Sequence, residues 1–306
     1  MRQVIALDVG GSSIKSALVS KDGKIVHELQ TSLGAQKTPQ GVVDLLARVI
    51  AEHRRAARNV IGVGIGCPGP LDPKRGIILF TPNLPFKKPF PLAATLKKRA
   101  YLPIVLQNDA NVAVLGEGWL GAGRGASVVV MLTLGTGIGG GVLIDGKIFD
   151  GSSGQGTELG HMPLYGMEKK CGAGHPGCFE AYANSSAITE HGKKLFGASR
   201  VKEPLDLYRL AARGDQKARK YFEEYGRMLA VPVSYLINVF NPEVVIFGGA
   251  ISGAWKFFAP TLKKEVYRWA FRSIAHQAKL KKATLGNRAG VFGAAKLGFD
   301  AFGHVK

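Results

Sequence analysis

The chain has 306 residues, 46% of them apolar, and 41 Lys and Arg against 22 Asp and Glu leave a formal charge of +19 at pH 7. That length suffices for two domains with adjoining cores, and no apolar run reaches membrane-spanning length, so no membrane partner is expected. Met1 to Asp8 enter an apolar strand directly, with no basic-then-apolar leader, and a cytoplasmic location is expected. The basic residues are scattered in pairs such as Lys87-Lys88, Lys97-Lys98, Lys263-Lys264 and Lys281-Lys282. Pairs of this kind on polar helix faces make a solvated surface; neither a helix-turn-helix nor an aromatic-interleaved basic strand is visible, and no nucleic-acid partner is expected.

Val4 to Val9 read as an apolar strand, Gly10-Gly11-Ser12-Ser13 as a turn, and the residues through Leu18 and Val19 as a second strand. Asp22-Gly23 then supplies the positive φ angles of a tight hairpin into a third strand. Val42, Leu45, Leu46, Val49 and Ile50 recur at helical spacing, which predicts an amphipathic helix over 41–58. A buried strand over 59–66 is stopped by Pro68-Gly69-Pro70. Ile104 to Gln107 form a short strand ending in Asn108-Asp109, and a helix starts at Ala110.

The opening pattern then returns. A strand over 128–134, a loop Gly135-Thr136-Gly137-Ile138-Gly139-Gly140-Gly141, a strand over 142–144 and the hairpin Asp145-Gly146-Lys147-Ile148 parallel the first meander and its Asp22-Gly23-Lys24-Ile25. Strand, small-residue loop, strand and Asp-Gly-Lys hairpin, occurring twice, argue for duplicated α/β domains facing each other across a cleft. Helices over 180–196 and 217–239, a strand over 244–247, a helix over 255–271 and a small-residue helix over 291–301 complete the alternating order of an α/β protein.

Two stretches match G-x-G-x-x-G, at Gly64 to Gly69 and at Gly135 to Gly140. The first meets prolines and the second opens into a strand, so neither supplies the helix N-terminus a pyrophosphate needs. The repeated turns instead offer backbone N–H groups that approach phosphate oxygens without a Cβ in the way, which makes Gly10, Gly11, Ser12, Ser13, Thr136 and Gly137 a candidate polyphosphate clamp. Asp8, ending the first strand, is placed to hold a water of Mg²⁺. Gly248-Gly249 follow a strand directly and serve either a nucleotide base and ribose or close packing.

Asp109 at a strand-to-helix junction is either an N-cap or a base that accepts the proton of an attacking hydroxyl, with Asn108 fixing the same substrate. Asn83, Glu158, His161 and Glu180 bring the carboxylates, amide and imidazole that pair with vicinal sugar hydroxyls. Two of the three cysteines, Cys171 and Cys178, stand close to His161 in sequence. They make three parts of a tetrahedral metal set if a fourth ligand such as His175 or water joins them; the other outcomes are partial metal, or two buried free thiols.

Asp8-x-Gly10-Gly11-Ser12-Ser13-x-Lys15, Pro68-Gly69-Pro70, Asn108-Asp109-Ala110-Asn111, Gly135-Thr136-Gly137-x-Gly139-Gly140-Gly141, Glu158-x-Gly160-His161, the 171–180 stretch and Gly248-Gly249 stand in this order across nearly the whole chain. Together they resemble the ROK family of sugar kinases and sugar-responsive repressors, within the actin and sugar-kinase superfamily. The resemblance implies duplicated actin-like, ribonuclease H-like domains with an interdomain cleft that closes over substrates. A small domain is expected over 1–116, with a C-terminal helix at about 290–306 packing back on it, and a large one over 117–289.

It also implies ATP-dependent phosphorylation of a hexose, with glucose to glucose 6-phosphate as the expected reaction because Pro-Gly-Pro-Leu-Asp, Thr-Pro-Asn-Leu-Pro and Glu-Leu-Gly-His resemble the glucokinase branch. Asp109 is the implied base; Asn83, Asn108, Asp109, Glu158, His161 and Glu180 bind the sugar; Asp8, Gly10 to Ser13, Lys15, Thr136, Gly137, Gly248 and Gly249 serve ATP and Mg²⁺. Fructose, mannose, N-acetylmannosamine or N-acetylglucosamine need only small changes in pocket shape. The basic surface keeps polyphosphate as an alternative donor, although the glycine turn at Gly248 favours a nucleotide, and a non-catalytic sugar-binding regulator is the alternative of another class. Repressor members carry a winged helix ahead of the first phosphate loop; with Asp8 so close to Met1, none is expected here. A homodimer formed through the larger domain is implied. The family's structural zinc is held by the Glu-x-Gly-His histidine and three cysteines; Ala173 stands in place of the middle one, so His161, Cys171 and Cys178 remain as ligands and zinc stays open.

Overall fold

The computed structural model describes residues 1–34, 36–81, 83–163, 166 and 168–303. In chain order the elements are β1 (Gln3–Val9), β2 (Ser13–Ser20), β3 (Ile25–Ser32), α1 (Pro39–Ala56), β4 (Val60–Cys67), β5 (Leu71–Asp72), β6 (Ile77–Ile78), α2 (Leu92–Ala100), β7 (Ile104–Asn108) and α3 (Asp109–Leu120). They continue through β8 (Val128–Leu134), β9 (Ile138–Ile144), β10 (Lys147–Ile148), α4 (Phe179–Ala183), α5 (Ser185–Phe196), α6 (Pro204–Ala212) and α7 (Gln216–Phe240). The last are β11 (Val244–Gly248), α8 (Trp255–Trp269), α9 (Arg272–Ala275), β12 (Lys279–Lys282) and α10 (Ala289–Phe302).

The chain divides into two compact units, one comprising 1–125, 141–157 and the chain from Asn287 on, the other 126–140 and 158–286. This division departs from the boundary expected at 116/117. Residues 117–125 and 141–157 cluster with the first unit because the later half of β9 packs on α3: Leu143 lies on Gly118, and Val114 lies on Gly141.

In the first unit the strands run β3-β2-β1-β4-β7, with β1 to β3 an antiparallel meander and β4 and β7 added in parallel. Successive side chains of β1 point to opposite faces, and both faces are covered. Ile5, Leu7 and Val9 join Ile14, Leu18, Val42, Leu46, Ile50, Val63 and Ile65 in one cluster. Val4 and Ala6 join Ala17, Val19 and the α10 residues Val291, Ala294, Ala295 and Phe299 in the other. Each fully buried Leu or Ile contributes about 1.5–3 kcal/mol. Helix α1 starts where Thr38 Oγ1 accepts the Gly41 N–H at 3.1 Å and Pro39 presets the first turn.

The second sheet has the order β10-β9-β8-β11-β12, position for position that of the first. A repeated strand–turn–strand–hairpin unit therefore generates the same topology twice, and the mixed α/β class and the duplicated actin-like fold follow. The loop expected over 135–141 is shorter, because Ile138 already pairs within β9 and only 135–137 form the turn. The single helix expected over 180–196 is two: Asn184 lies between them in extended conformation and caps α5 by accepting the Ala187 N–H at 2.9 Å. Edge strand β12 escapes pattern reading because three of its four residues are lysines, which also discourage pairing with a further strand. Among the described residues no helix is long and apolar enough to cross a membrane.

Candidate active site and metal centre

Strand β1 delivers Asp8 opposite Lys15 of β2 and beside Gly66 of β4. Burial raises the Asp8 carboxyl to about 6, Lys15 opposes that shift, and the Asp109 carboxylate adds to it. The first turn of α10 closes over this carboxylate: a Cβ on Gly290 would lie 2.5 Å from Asp8 Oδ2, so a larger residue there would force the helix off the site. The turn Gly10-Gly11-Ser12 is tied by Gly10 N–H to Ser13 O at 2.9 Å and by Leu33 N–H to Ser12 O at 2.9 Å. Gly11 packs against the side chain of Asn83, which puts the first glycine turn and one sugar-binding candidate side by side.

The N-cap of α3 is Asn108, not Asp109. Asn108 Oδ1 accepts the N–H groups of Ala110 at 2.9 Å and Asn111 at 3.3 Å, and its Nδ2 is 3.4 Å from Gly69 O. With the oxygen committed to the helix, the amide N–H groups are what Asn108 has to offer a ligand. Asp109 is thereby set as the first helical residue, its Oδ1 accepting the Ala110 N–H at 2.9 Å. Burial raises its pKa, against the smaller opposing effect of backbone N–H bonds. The Cys67 thiol, at the end of β4, is pushed up by burial and by the Asp109 and Asp8 charges, which leaves it inert.

In the second unit the turn Gly135-Thr136-Gly137 is gathered by Glu180 of α4. Glu180 Oε2 accepts the Ile138 N–H at 2.9 Å, Oε1 accepts the Gly172 N–H at 3.1 Å, and the side chain is 9% exposed. A Cβ on Gly137 would meet Oε2 at 2.6 Å. Glu180 therefore joins the second glycine turn to the cysteine loop, with one lone pair on each oxygen left for a ligand. Gly248-Gly249 lie against β8: Gly249 has φ +78°, and a Cβ on it would meet Leu134 O at 2.3 Å. That contact places the third glycine turn next to Gly135.

Glu158 is exposed and precedes a short 3-10 turn, Leu159–His161; its Oε2 is 3.9 Å from His161 Nε2. The other ring nitrogen, His161 Nδ1, is buried without a hydrogen-bond partner. His161, Cys171, His175 and Cys178 each present one ligand atom, and these four atoms lie within 4.8 Å of one another. The loop reaches this shape because Cys171 N–H donates to His175 O at 2.9 Å and Gly174 N–H donates to Cys171 O at 2.9 Å. A tetrahedral zinc with these donors has ligand–ligand separations of roughly 3.3–3.8 Å. An orphaned buried nitrogen on an imidazole that is grouped with two thiols and a second imidazole fits such an ion, and the fourth place, left open between His175 and water, has His175 in it. Without a cation, burial and the adjacent Cys171 thiol push the Cys178 thiol to about 11; a divalent cation reverses that.

Two repeats that each end a strand in a glycine turn, one carrying paired carboxylates, define the class: an ATP-dependent sugar kinase of the actin-like superfamily. Within it the chain belongs to the ROK family, whose family model matches residues 4–300. A glucokinase from Thermotoga maritima is 36% identical over 96% of this chain and 96% of its own. The crystal structure of a ROK family glucokinase from Streptomyces griseus in complex with glucose and AMPPNP is 31% identical, covers 96% of this chain and 98% of its own, and superimposes with a TM-score of 0.82. A xylose repressor from Caldicellulosiruptor bescii is 28% identical over 95% of this chain and 76% of the repressor.

Proposed function

We propose that this chain transfers the γ-phosphoryl group of ATP to the 6-hydroxyl of a hexose, with glucose as the substrate and Asp109 as the general base. The observation that carries the reading is the half-buried Asp109 carboxylate, aimed by a capped helix and raised in pKa, in the same unit as Asp8 and the Gly10 turn. Asp109 Oδ2 takes the hydroxyl proton as the oxygen attacks phosphorus and ADP leaves with the electron pair of the broken P–O bond. Asn83, the Asn108 amide N–H groups, Glu158, His161 and Glu180 orient the sugar hydroxyls. The backbone N–H groups of Gly10 to Ser13 and of Thr136-Gly137, with Lys15, hold phosphate oxygens, and Gly248-Gly249 lie against the nucleotide. Asp8 is a hard oxygen donor beside a second carboxylate, a setting that favours a hydrated Mg²⁺; when bound, the ion neutralises phosphate charge.

Glucose is favoured over fructose, N-acetylmannosamine and N-acetylglucosamine by the glucokinases among the relatives. A repressor among them keeps a non-catalytic regulator as the second reading. An ADP-release assay over a panel of hexoses and hexosamines at saturating Mg·ATP separates these: turnover with glucose above all others is expected, and no turnover with any sugar would defeat the kinase reading. A cytoplasmic homodimer completes the proposal. Supporting it, Phe271, whose N–H donates to Asn238 Oδ1 at 2.7 Å, joins Tyr235, Val239, Tyr267 and Trp269 as exposed apolar side chains around the C-terminal ends of α7 and α8.

His161, Cys171, His175 and Cys178 would hold a structural zinc that braces the loop carrying Glu180. Protein purified without chelator is expected to contain about one zinc per chain, and His175→Ala or Cys178→Ser to lose it. Elemental analysis after dialysis decides; absence of any stoichiometric metal sinks the assignment.

A further inference from the structure

Gln107 is a buried amide, 3% exposed, at the end of a strand whose preceding residues are Ile104, Val105 and Leu106. An amide in such a place costs stability unless it is bonded, and an apolar side chain of similar shape would hold the strand as well. Its bonds converge on functional backbone. Oε1 accepts the Asn108 N–H at 2.7 Å and an Asn111 Nδ2–H at 3.4 Å, while Nε2 donates to Asp150 Oδ2 at 2.9 Å. Asn111, 2% exposed, has Oδ1 at 3.3 Å from Thr157 Oγ1, whose single proton is shared between that oxygen and the nearer Gly156 O at 2.6 Å. Thr157 has φ +66°, a left-handed conformation costly for a β-branched residue, and it leads directly into Glu158.

We propose that Gln107 is a positioning residue for phosphoryl transfer: through Asn108 it sets the Asp109 carboxylate, and through Asn111 and Asp150 it holds the 150–157 loop that launches Glu158. The proposal rests on the kinase reading above. Gln is required over Glu because its outward partner is a carboxylate. Gln107→Glu turns that hydrogen bond into a contact between two anions, whereas Asp150→Asn alone keeps an acceptor for Nε2. In the double variant Gln107→Glu/Asp150→Asn the bond is restored with its direction reversed, the amide introduced at position 150 donating to the carboxylate introduced at position 107.

The test is steady-state kinetics of the full chain with the best hexose from the panel, together with thermal melts of every variant. Gln107→Glu is expected to lower kcat by about ten- to a hundredfold and to raise KM for the sugar but not for ATP, while Asp150→Asn stays near wild type. The double variant is expected to recover most of the loss. Gln107→Met is a second variant that lacks the amide; it leaves the buried Asn111 amide without its acceptor, so a lower melting temperature is expected along with the kcat defect, and its kinetics are read below the melt. If Gln107→Glu and Gln107→Met both turn over like wild type, or the double variant is no better than Gln107→Glu alone, the positioning role is wrong. Absence of turnover in the wild type instead overturns the kinase reading, and with it this role.

Discussion

Asp109→Asn is expected to reduce kcat by roughly 10²–10⁴-fold, the usual contribution of a positioned general base, while hexose and nucleotide still bind. The amide has the shape of the carboxylate, and its oxygen can keep the Ala110 N–H bond that Asp109 Oδ1 makes. It cannot take a proton at pH 7. Loss of the negative charge at the first helical residue removes about 0.3–1 kcal/mol of dipole interaction, but burial opposes that charge, as the raised pKa shows, and its removal relieves that cost, so the variant stays folded. The wild-type pH profile should carry the same signature. A base must be deprotonated to act, so a pKa raised by burial moves the acid limb to higher pH than an ordinary Asp would give. Asp8, at about 6, titrates close by, and the limb reports the pair rather than either group. Calorimetric sugar binding by Asp109→Asn beside the ADP-release rate provides the check; turnover within a few-fold of wild type would remove Asp109 from the reaction.

Asp8→Asn is expected to abolish turnover yet make the ligand-free protein more stable at neutral pH. The Asp8 carboxyl is raised in the folded state from 3.8 to about 6, so between these values the folded protein holds a proton that the unfolded chain releases. Stability therefore falls as pH rises through that window, and at pH 7 the buried charge is a net cost on the order of 2–3 kcal/mol. Asn removes the charge and its repulsion with Asp109, at the loss of the attraction to Lys15. A higher melting temperature at pH 7, with the gain shrinking as pH is lowered towards about 4, is the predicted pattern. Equal melting temperatures at all pH values, or a variant less stable at neutral pH, would show that Asp8 is not a strained functional charge. The chain keeps a destabilising carboxylate where a cation and phosphates are proposed to sit, and a ligand that needs the charge compensates for it.

Much of the fold was legible because its signals are local. Strand alternation, the two Asp-Gly hairpins and the two glycine turns each lie within about ten residues, and their repetition anticipated two sheets of one strand order. The amphipathic face of α1 and the strand-to-helix junction at Asn108-Asp109 were visible for the same reason. Three features differ between the sequence reading and the structure. Glycines at 139–141 read as loop, yet they are strand residues whose missing side chains make room for Leu159, Val114 and Asn111. Asp109 offered itself as the cap, but the extended backbone of Asn108 gives that role to the neighbour. By contacts the chain divides elsewhere than at the boundary expected near 116, since β9 packs on α3 and 117–125 and 141–157 go with the first unit.

Residue order alone decided which groups stand at strand ends and turns, since backbone preference and apolar periodicity act over a few residues. It could not decide which distant groups share a partner. That His175 joins His161, Cys171 and Cys178, that Glu180 spends an oxygen on each of two loops, and that Gln107 faces Asp150 all depend on folding. The Glu180 and Gln107 pairings are set by burial, since a polar atom that leaves water must find whichever partner the packed chain brings within about 3 Å, whatever the separation in sequence; exposed His175 is brought in by the turn that ties its carbonyl to the Cys171 N–H.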